Sequence, residues 1–277
     1  MKSLRSMIRR GCVAMPGVFN GATARLAERA GFRALYVSGA GLGNATAGVP
    51  DIGLLSRDEV VQLAGYIAKA VRVPVLVDAD TGFDNVSRTV RELEAAGVAG
   101  MHIEDQTFPK RCGHLGGKSL IPARAMCRKL RAAVKARRDR DFVIIARTDA
   151  RGVEGFDAAV GRARQYLAAG ADGIFPEGLE SKAEFAEFAR QVKAPLLANM
   201  TEFGKTPIIT AREFERMGYR MVIFPMSAFR VSMKAMDEFY RSLRRAGSQK
   251  PWLKRMQTRA ELYELLGYDP NAKEWRP

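Results

Sequence analysis

Eight short runs rich in apolar and β-branched residues recur along the chain, at 13–19, 33–38, 74–80, 99–105, 142–149, 172–177, 195–200 and 220–225. Between them lie segments whose apolar positions fall three and four apart, such as GATARLAERAG, SRDEVVQLAGYIAKAV, NVSRTVRELEAAG, ARAMCRKLRAAVKAR, FDAAVGRARQYLAAG and SKAEFAEFARQV. The first pattern reads as strands covered on both faces, and the second as amphipathic helices. Gly31, Gly97 and Gly170 fall where helix stops are expected. Eight such alternations in one α/β chain predict a parallel (β/α)8 barrel, with a doubly wound open sheet as the competing architecture. Residues 1–277 then form a single domain, and 246–277, after a Pro/Gly break, form a C-terminal helical extension.

Charge raises a different possibility. With 45 Lys and Arg against 30 Asp and Glu, the chain carries a formal +15, which would suit a nucleic-acid binder. The cations are spread through the sequence, however, with no long basic block, aromatic ribonucleoprotein motif or zinc-finger spacing, so no nucleic-acid partner is expected. Attraction of small anionic substrates accounts for the charge equally well. No apolar run approaches the roughly 20 residues that cross a bilayer, and MKSLRSMIRR lacks the apolar core of a secretory signal. A cytoplasmic protein without a membrane partner is expected. Cys12, Cys112 and Cys127 are odd in number and lack C-x-x-C spacing, so free thiols are expected.

In a barrel of this kind, chemistry gathers where strands end and loops begin. The predicted ends carry Tyr36, Ser38, Asp78, Asp80, Glu104, Arg147, Glu177, Asn199 and Ser227 with Arg230. Any one of the Asn, Asp and Ser residues doubles as a cap or turn former; their concentration on one rim is the signal. In VDADTGF, Asp78 and Asp80 are two apart, so continued strand geometry would point both carboxylates to one side. With Asp51 in GVPDIG and Glu104 they make an all-oxygen acidic set suited to Mg2+, or Mn2+, rather than zinc. Arg147 and Arg230 are candidates to grip carboxylates in bidentate fashion, and the amides of SGAG to cradle another anionic group. The loop QTFPKRCGHLGGKSLIP follows the fourth run and contains Gly113, Gly116 and Gly117, which suggests a mobile lid. Lys110, Arg111 and His114 should favour the Cys112 thiolate as a proton donor or acceptor.

The segments YVSGAG, PDIG, LVDADTGF, GMHIEDQ, PKRCGH, VIIARTDA, FPEG, NMTEFG, FPMSAFR and MQTRAELYE resemble the isocitrate lyase and phosphoenolpyruvate mutase superfamily over nearly the whole chain. The resemblance implies a (β/α)8 TIM barrel whose last helix is exchanged between neighbours in a homotetramer. It implies Mg2+ at the rim, with Asp78 as direct ligand and Asp51, Asp80 and Glu104 holding metal-bound waters. It also implies that Ser38, Gly39 and Ala40 bind the carboxylate of a 2-oxo acid beside Arg147. Asn199, Thr201 and Arg230, with the amides of Gly113 and His114, would bind the carboxylates of the other fragment.

The implied activity is a carbon–carbon lyase acting on a small 2-hydroxy di- or tricarboxylate, with Cys112 as proton donor. Glu177 lies near the reacting oxygen in that family, and Tyr36 and Glu177 are the candidates to remove the hydroxyl proton. NMTEFG and FPMSAFR point to cleavage of 2-methylisocitrate. PGVFNGATARLAERAGF and GHLGGKSLIP look more like branches acting on 2,3-dimethylmalate or oxaloacetate, and Ala40 stands where a glycine is usual. A phosphonomutase is disfavoured by the cysteine of KRCGH. Phe175, Ile223 and Pro225 form a candidate apolar wall for a methyl group.

Overall fold

The computed structural model describes residues 3–111, 113 and 115–272. Eight parallel strands run β1 Val13–Val18, β2 Leu35–Val37, β3 Val75–Asp78, β4 Gly100–Glu104, β5 Val143–Thr148, β6 Gly173–Pro176, β7 Leu197–Asn199 and β8 Met221–Phe224. Their order is β6-β5-β4-β3-β2-β1-β8-β7, and a parallel bridge from Ile174 to Leu196 joins the two ends. The sheet is therefore a closed barrel rather than an open doubly wound sheet.

Strand alternation divides each run between two cores. Leu35, Val37, Val75, Val77, Met101, Ile103, Ile144 and Ala146 face the helices. Tyr36, Leu76, Ile145, Phe175, Leu197 and Ile223 fill the barrel interior. The same period carries Asp78, Glu104, Arg147 and Glu177 onto the inward rows, because each stands two residues beyond an inward position or its register partner. Polar groups thus collect inside the C-terminal mouth, above an apolar plug.

The opposite mouth is sealed by α1 (Leu4–Arg10), whose Leu4 and Ile8 join the inner cluster with the strand-start residues Val13, Val143 and Met221. Burying two such side chains contributes about 1.5–3 kcal/mol each. Arg5 fixes the helix by donating to the Phe142 carbonyl at 3.1 Å and pairing with Asp172 at 2.8 Å. The sequence signal for this helix, two apolar residues four apart, is too short to separate from the basic leader around it.

The outer ring is formed by α2 (Gly21–Arg29), α4 (Arg57–Ala70), α5 (Val86–Ala95), α6 (Ala123–Ala136), α7 (Phe156–Ala168), α8 (Lys182–Gln191) and α9 (Ala211–Arg216), while α3 (Gly39–Leu42) is a single turn at the rim. Gly31, Gly97 and Gly170 follow α2, α5 and α7 with φ of +90°, +88° and +102°, the left-handed region that glycine enters without a Cβ penalty. α10 (Ser227–Ala246) differs from the other long helices: none of its residues is buried. Val231, Met233, Met236 and Tyr240 are exposed along it. After Gly247, α11 (Arg259–Leu266) returns to α2, burying Leu265 and receiving a hydrogen bond from Arg25 at its carbonyl. Among the described residues no helix is long and apolar enough to cross a membrane.

Candidate active site

The inward rows meet around a cavity of about 60 Å³ at the C-terminal mouth. Tyr36, Ser38, Ala40, Asp51 and Asp78 line it on one side, and Gly113, Arg147, Glu177, Asn199 and Thr201 on the other. Phe175, Ile223 and Pro225 supply an apolar wall, to which the structure adds Met226. Cys112 and His114 lie outside the described residues.

Asp78 ends β3, and the strand does not continue as the two-residue spacing assumed. Asp80 has φ of +48°, so the chain turns there and Gly82 closes the turn onto the Ala79 carbonyl at 2.8 Å. The two carboxylates still approach each other, through the turn rather than through strand period. Asp78 Oδ1 accepts from the Asp80 amide at 3.0 Å. A Cβ placed on Gly39 would lie 3.2 Å from Asp78 Oδ2 and 3.5 Å from Asp80 Oδ1, so this glycine leaves a cradle open beside both acids. The Gly39 amide itself donates to Asp78 Oδ2 at 3.3 Å, and the Gly41 amide donates to the Ser38 hydroxyl at 3.3 Å. The SGAG segment therefore spends two amides on local acceptors.

Lys110 enters this acidic set from the loop. Its ammonium lies 2.5 Å from Asp51 and 2.5 Å from Asp80, with the side chain almost wholly buried. Burial alone would lower its pKa, but the charges of Asp78, Asp80, Glu104 and Asp51 raise it well above the usual lysine value. Lys110 is thus paired with the carboxylates of Asp51 and Asp80; its expected influence on the Cys112 thiolate falls on a residue outside the described ones.

Burial pushes Asp78 upward, yet His102, Lys110 and Arg147 outweigh it and hold its carboxyl down at about 2. Asp80 rises to about 6, through burial and the Asp78 charge against the pull of Lys110. Glu104 is fully buried, and neither oxygen receives a directed hydrogen bond, although Oε2 lies 3.2 Å from Arg147 Nη1. Burial holds its carboxyl well above the usual range despite Arg147 and Lys110.

Among the described residues no three acidic, histidine or cysteine side chains form a ready metal cage. Mg2+ keeps several waters and takes only one or two carboxylates directly, so such a cage is not what it requires. The buried, unsatisfied oxygens of Glu104 and the Gly39 cradle beside Asp78 and Asp80 fit a hydrated divalent cation.

Arg147 and Arg230 both have carboxylate partners within the chain. Arg147 spends its bidentate edge on Asp149, Nε to Oδ2 at 2.9 Å and Nη2 to Oδ1 at 3.1 Å. Its Nη2 also lies 3.8 Å from Glu177, which accepts from Asn199 Nδ2 at 3.1 Å. Arg230 stands outside the cavity lining; it is 44% exposed, pairs with Glu202 at 3.4 Å and stacks on Phe203. Ser227 likewise donates to Glu202. A charge chooses the nearest counter-charge, and Glu202 on the neighbouring loop is nearer than the cavity.

Two inward residues were not singled out from the sequence. His102 is fully buried, with Nε2 2.7 Å from the Tyr36 hydroxyl and 3.6 Å from Asp78. Burial lowers its pKa to about 4, against the opposing pull of Asp78, so the ring is neutral near pH 7. Burial and then the Asp78 charge raise Tyr36 well above a free phenol. Asp149 is the other, held from behind by Asp105, which accepts from its amide at 2.9 Å and from Tyr166 at 2.7 Å. Each sits two residues from a selected rim residue, Glu104 or Arg147, and strand period alone would have found them.

The described part of the 106–120 loop meets the mouth at Gly113. A Cβ at Gly113 would come within 2.5 Å of Glu177 Cγ and 2.6 Å of Arg147 Nη2, so the glycine backbone is packed directly on both.

A family model described as phosphoenolpyruvate phosphomutase matches residues 4–244. A protein named 2-methylisocitrate lyase from Aeropyrum pernix is 57% identical over 274 residues, 98% of this chain and 88% of its own. A 2,3-dimethylmalate lyase of known structure superposes with a TM-score of 0.90 at 38% identity, covering 96% of this chain and 92% of its own. A phosphonopyruvate hydrolase solved with oxalate and Mg2+ gives a TM-score of 0.86 at 32% identity, over 95% and 93% of the two chains.

Proposed function

The chain belongs to the phosphoenolpyruvate phosphomutase family, within the isocitrate lyase superfamily, and from that membership we propose that it cleaves 2-methylisocitrate to pyruvate and succinate. The observation that carries the reading is the seat of Gly113 on Glu177 and Arg147: it brings the loop bearing the KRCGH sequence to a cavity ringed by acids. Identity favours the methylisocitrate substrate, at 57% against 38% for the dimethylmalate lyase. The apolar wall of Phe175, Ile223 and Pro225 suits a methyl substituent.

Asp78 would hold Mg2+ directly, with Asp51, Asp80 and Glu104 holding its waters. When bound, Mg2+ supplies Lewis-acid stabilisation of the charge that develops on the substrate's oxygens. Arg147, kept in place by Asp149, offers further positive charge at the same oxygens. Ser38 and the amide of Ala40 would bind the carboxylate that leaves in pyruvate, beside Gly39, whose own amide is given to Asp78. Asn199 and Thr201 line the side assigned to the other fragment. Glu177 would take the hydroxyl proton, or Tyr36 would do so while passing its own phenolic proton to His102 Nε2, 2.7 Å away. The carbon–carbon bond then breaks, its electron pair passes into the carboxylate-stabilised fragment, and Cys112 protonates that carbon. The cavity has room for a few waters and not for a tricarboxylate, so the loop lifts for substrate to enter.

The bare apolar side of α10 supports a homotetramer in which this helix packs on a neighbouring barrel.

The test is incubation with Mg2+ and a panel of 2-hydroxy di- and tricarboxylates, with release of 2-oxo acid as the readout. 2-Methylisocitrate should give pyruvate. Cys112→Ser should lower turnover by about 100-fold or more while binding Mg2+ and pyruvate normally. Cleavage of 2,3-dimethylmalate with 2-methylisocitrate inert would overturn the substrate; near-normal turnover by Cys112→Ser would remove the thiol from the mechanism.

A further inference from the structure

Lys118 is the one lysine in the second half of the loop, and its side chain is almost wholly buried, 3% exposed. A buried ammonium is costly unless paired. It has two partners: Asp149 Oδ1 at 2.8 Å and the carbonyl oxygen of Gly113, five residues back along the loop. Asp149 is itself fully buried and is the carboxylate that receives both Nε and Nη2 of Arg147.

The base of the loop is fixed independently of these contacts. Thr107 donates to the Ser119 carbonyl at 2.8 Å, and Ile121 to the Asp105 carbonyl at 2.9 Å. The Gln106 side chain clasps the Arg111 backbone, donating at 2.8 Å and accepting at 2.9 Å. Lys118 therefore reaches from an anchored base to the tip, at the point where Gly113 meets Glu177 and Arg147.

We propose that Lys118 is a positioning residue that latches the loop over the cavity, tying the Gly113 carbonyl to the same Asp149 carboxylate that orients Arg147. The latch joins two states in one network. With the tip down, the ammonium is satisfied on both sides; with the tip raised, it loses the carbonyl and keeps only Asp149. Charge at Asp149 is not orphaned when Lys118 is replaced, because Arg147 remains bidentate on it, so removal of the lysine should act on the loop and spare the barrel. The catalytic consequence rests on the lyase reading, whereas the latch itself does not.

The experiment compares full-length protein with Lys118→Met, Lys118→Gln and Lys118→Arg, the three variants together keeping the comparison intact should one fold poorly. Ligand-free amide hydrogen exchange is followed at residues 107–120 and in β4 and β5, and kcat and KM are measured with 2-methylisocitrate and Mg2+. In Met and Gln, exchange at the loop tip should rise at least tenfold with β4 and β5 unchanged; kcat should fall more than KM rises, and Arg should restore part of both. Unchanged tip exchange, or a rise spread equally through β4 and β5, would overturn the latch. If the unaltered protein fails to turn over 2-methylisocitrate, the functional reading falls, and the exchange comparison alone decides the latch.

Discussion

Replacing Gly113 with alanine adds one methyl group at the tightest point of the site. The new Cβ would stand 2.5 Å from Glu177 Cγ, 2.6 Å from Arg147 Nη2 and 2.7 Å from Glu177 Cδ. Neither neighbour is free to give way. Arg147 is held by Asp149 at 2.9 and 3.1 Å, and Glu177 is 1% exposed. The loop must yield instead. Overpacking of this kind costs about 1–3 kcal/mol, and the cost falls on the closed arrangement alone because raising the loop removes the clash. The closed fraction should therefore drop by about 5- to 150-fold relative to the open one. Gly116→Ala is the matched control: it lies in the same loop, and a Cβ there meets nothing within 4 Å. Both variants would be assayed for kcat/KM on whichever acid of the panel is turned over fastest, with thermal melts to confirm an intact barrel. Gly113→Ala should lose activity by that factor, with Gly116→Ala unchanged. Equal kcat/KM in the two variants would show that turnover does not need the loop seated on Glu177 and Arg147.

Three further outcomes follow from the same geometry. Asp78→Asn should weaken Mg2+ binding in calorimetry by more than the roughly 10–100-fold typical of groups that act through bound water, while Glu104→Gln falls within that range; equal effects would refute the division of roles. His102 bears on pH dependence: its folded pKa of about 4 lies below the ordinary 6.5, so the unfolded chain binds the extra proton first and stability is lost as pH falls between those values. Asp80, raised to about 6, acts with the opposite sign over nearly the same window, so the metal-free protein alone should show a shallow profile. Relative to His102→Gln, it should lose about 3 kcal/mol of unfolding free energy in urea between pH 7 and pH 4, and parallel profiles would count against a buried neutral imidazole. On α10, Met233→Glu with Tyr240→Glu places charge on side chains 46% and 62% exposed in the isolated chain and seven residues apart on one side of the helix; sedimentation should show a smaller species, and an unchanged assembly would mean that this face is solvated.

Much of this protein was written locally in its chain. The alternation of continuous apolar runs with 3.6-period segments specified eight strands, their helices and a barrel, because a parallel sheet needs both faces covered and short connections leave few topologies. Strand period also selected the inward rows, and with them Tyr36, Asp78, Glu104, Arg147 and Glu177, since every second residue must face the same way. Tertiary structure alone decided which charge each group would meet. Arg147 turned to Asp149, Arg230 to Glu202, and Lys110 to Asp51 and Asp80, because Coulomb attraction depends on distances set across register partners and by a folded loop, and neither is encoded in spacing along one segment. The turn at Asp80 is of the same kind: the strand stops where the chain enters a left-handed conformation, and the two acids approach by a route that period two could not foresee.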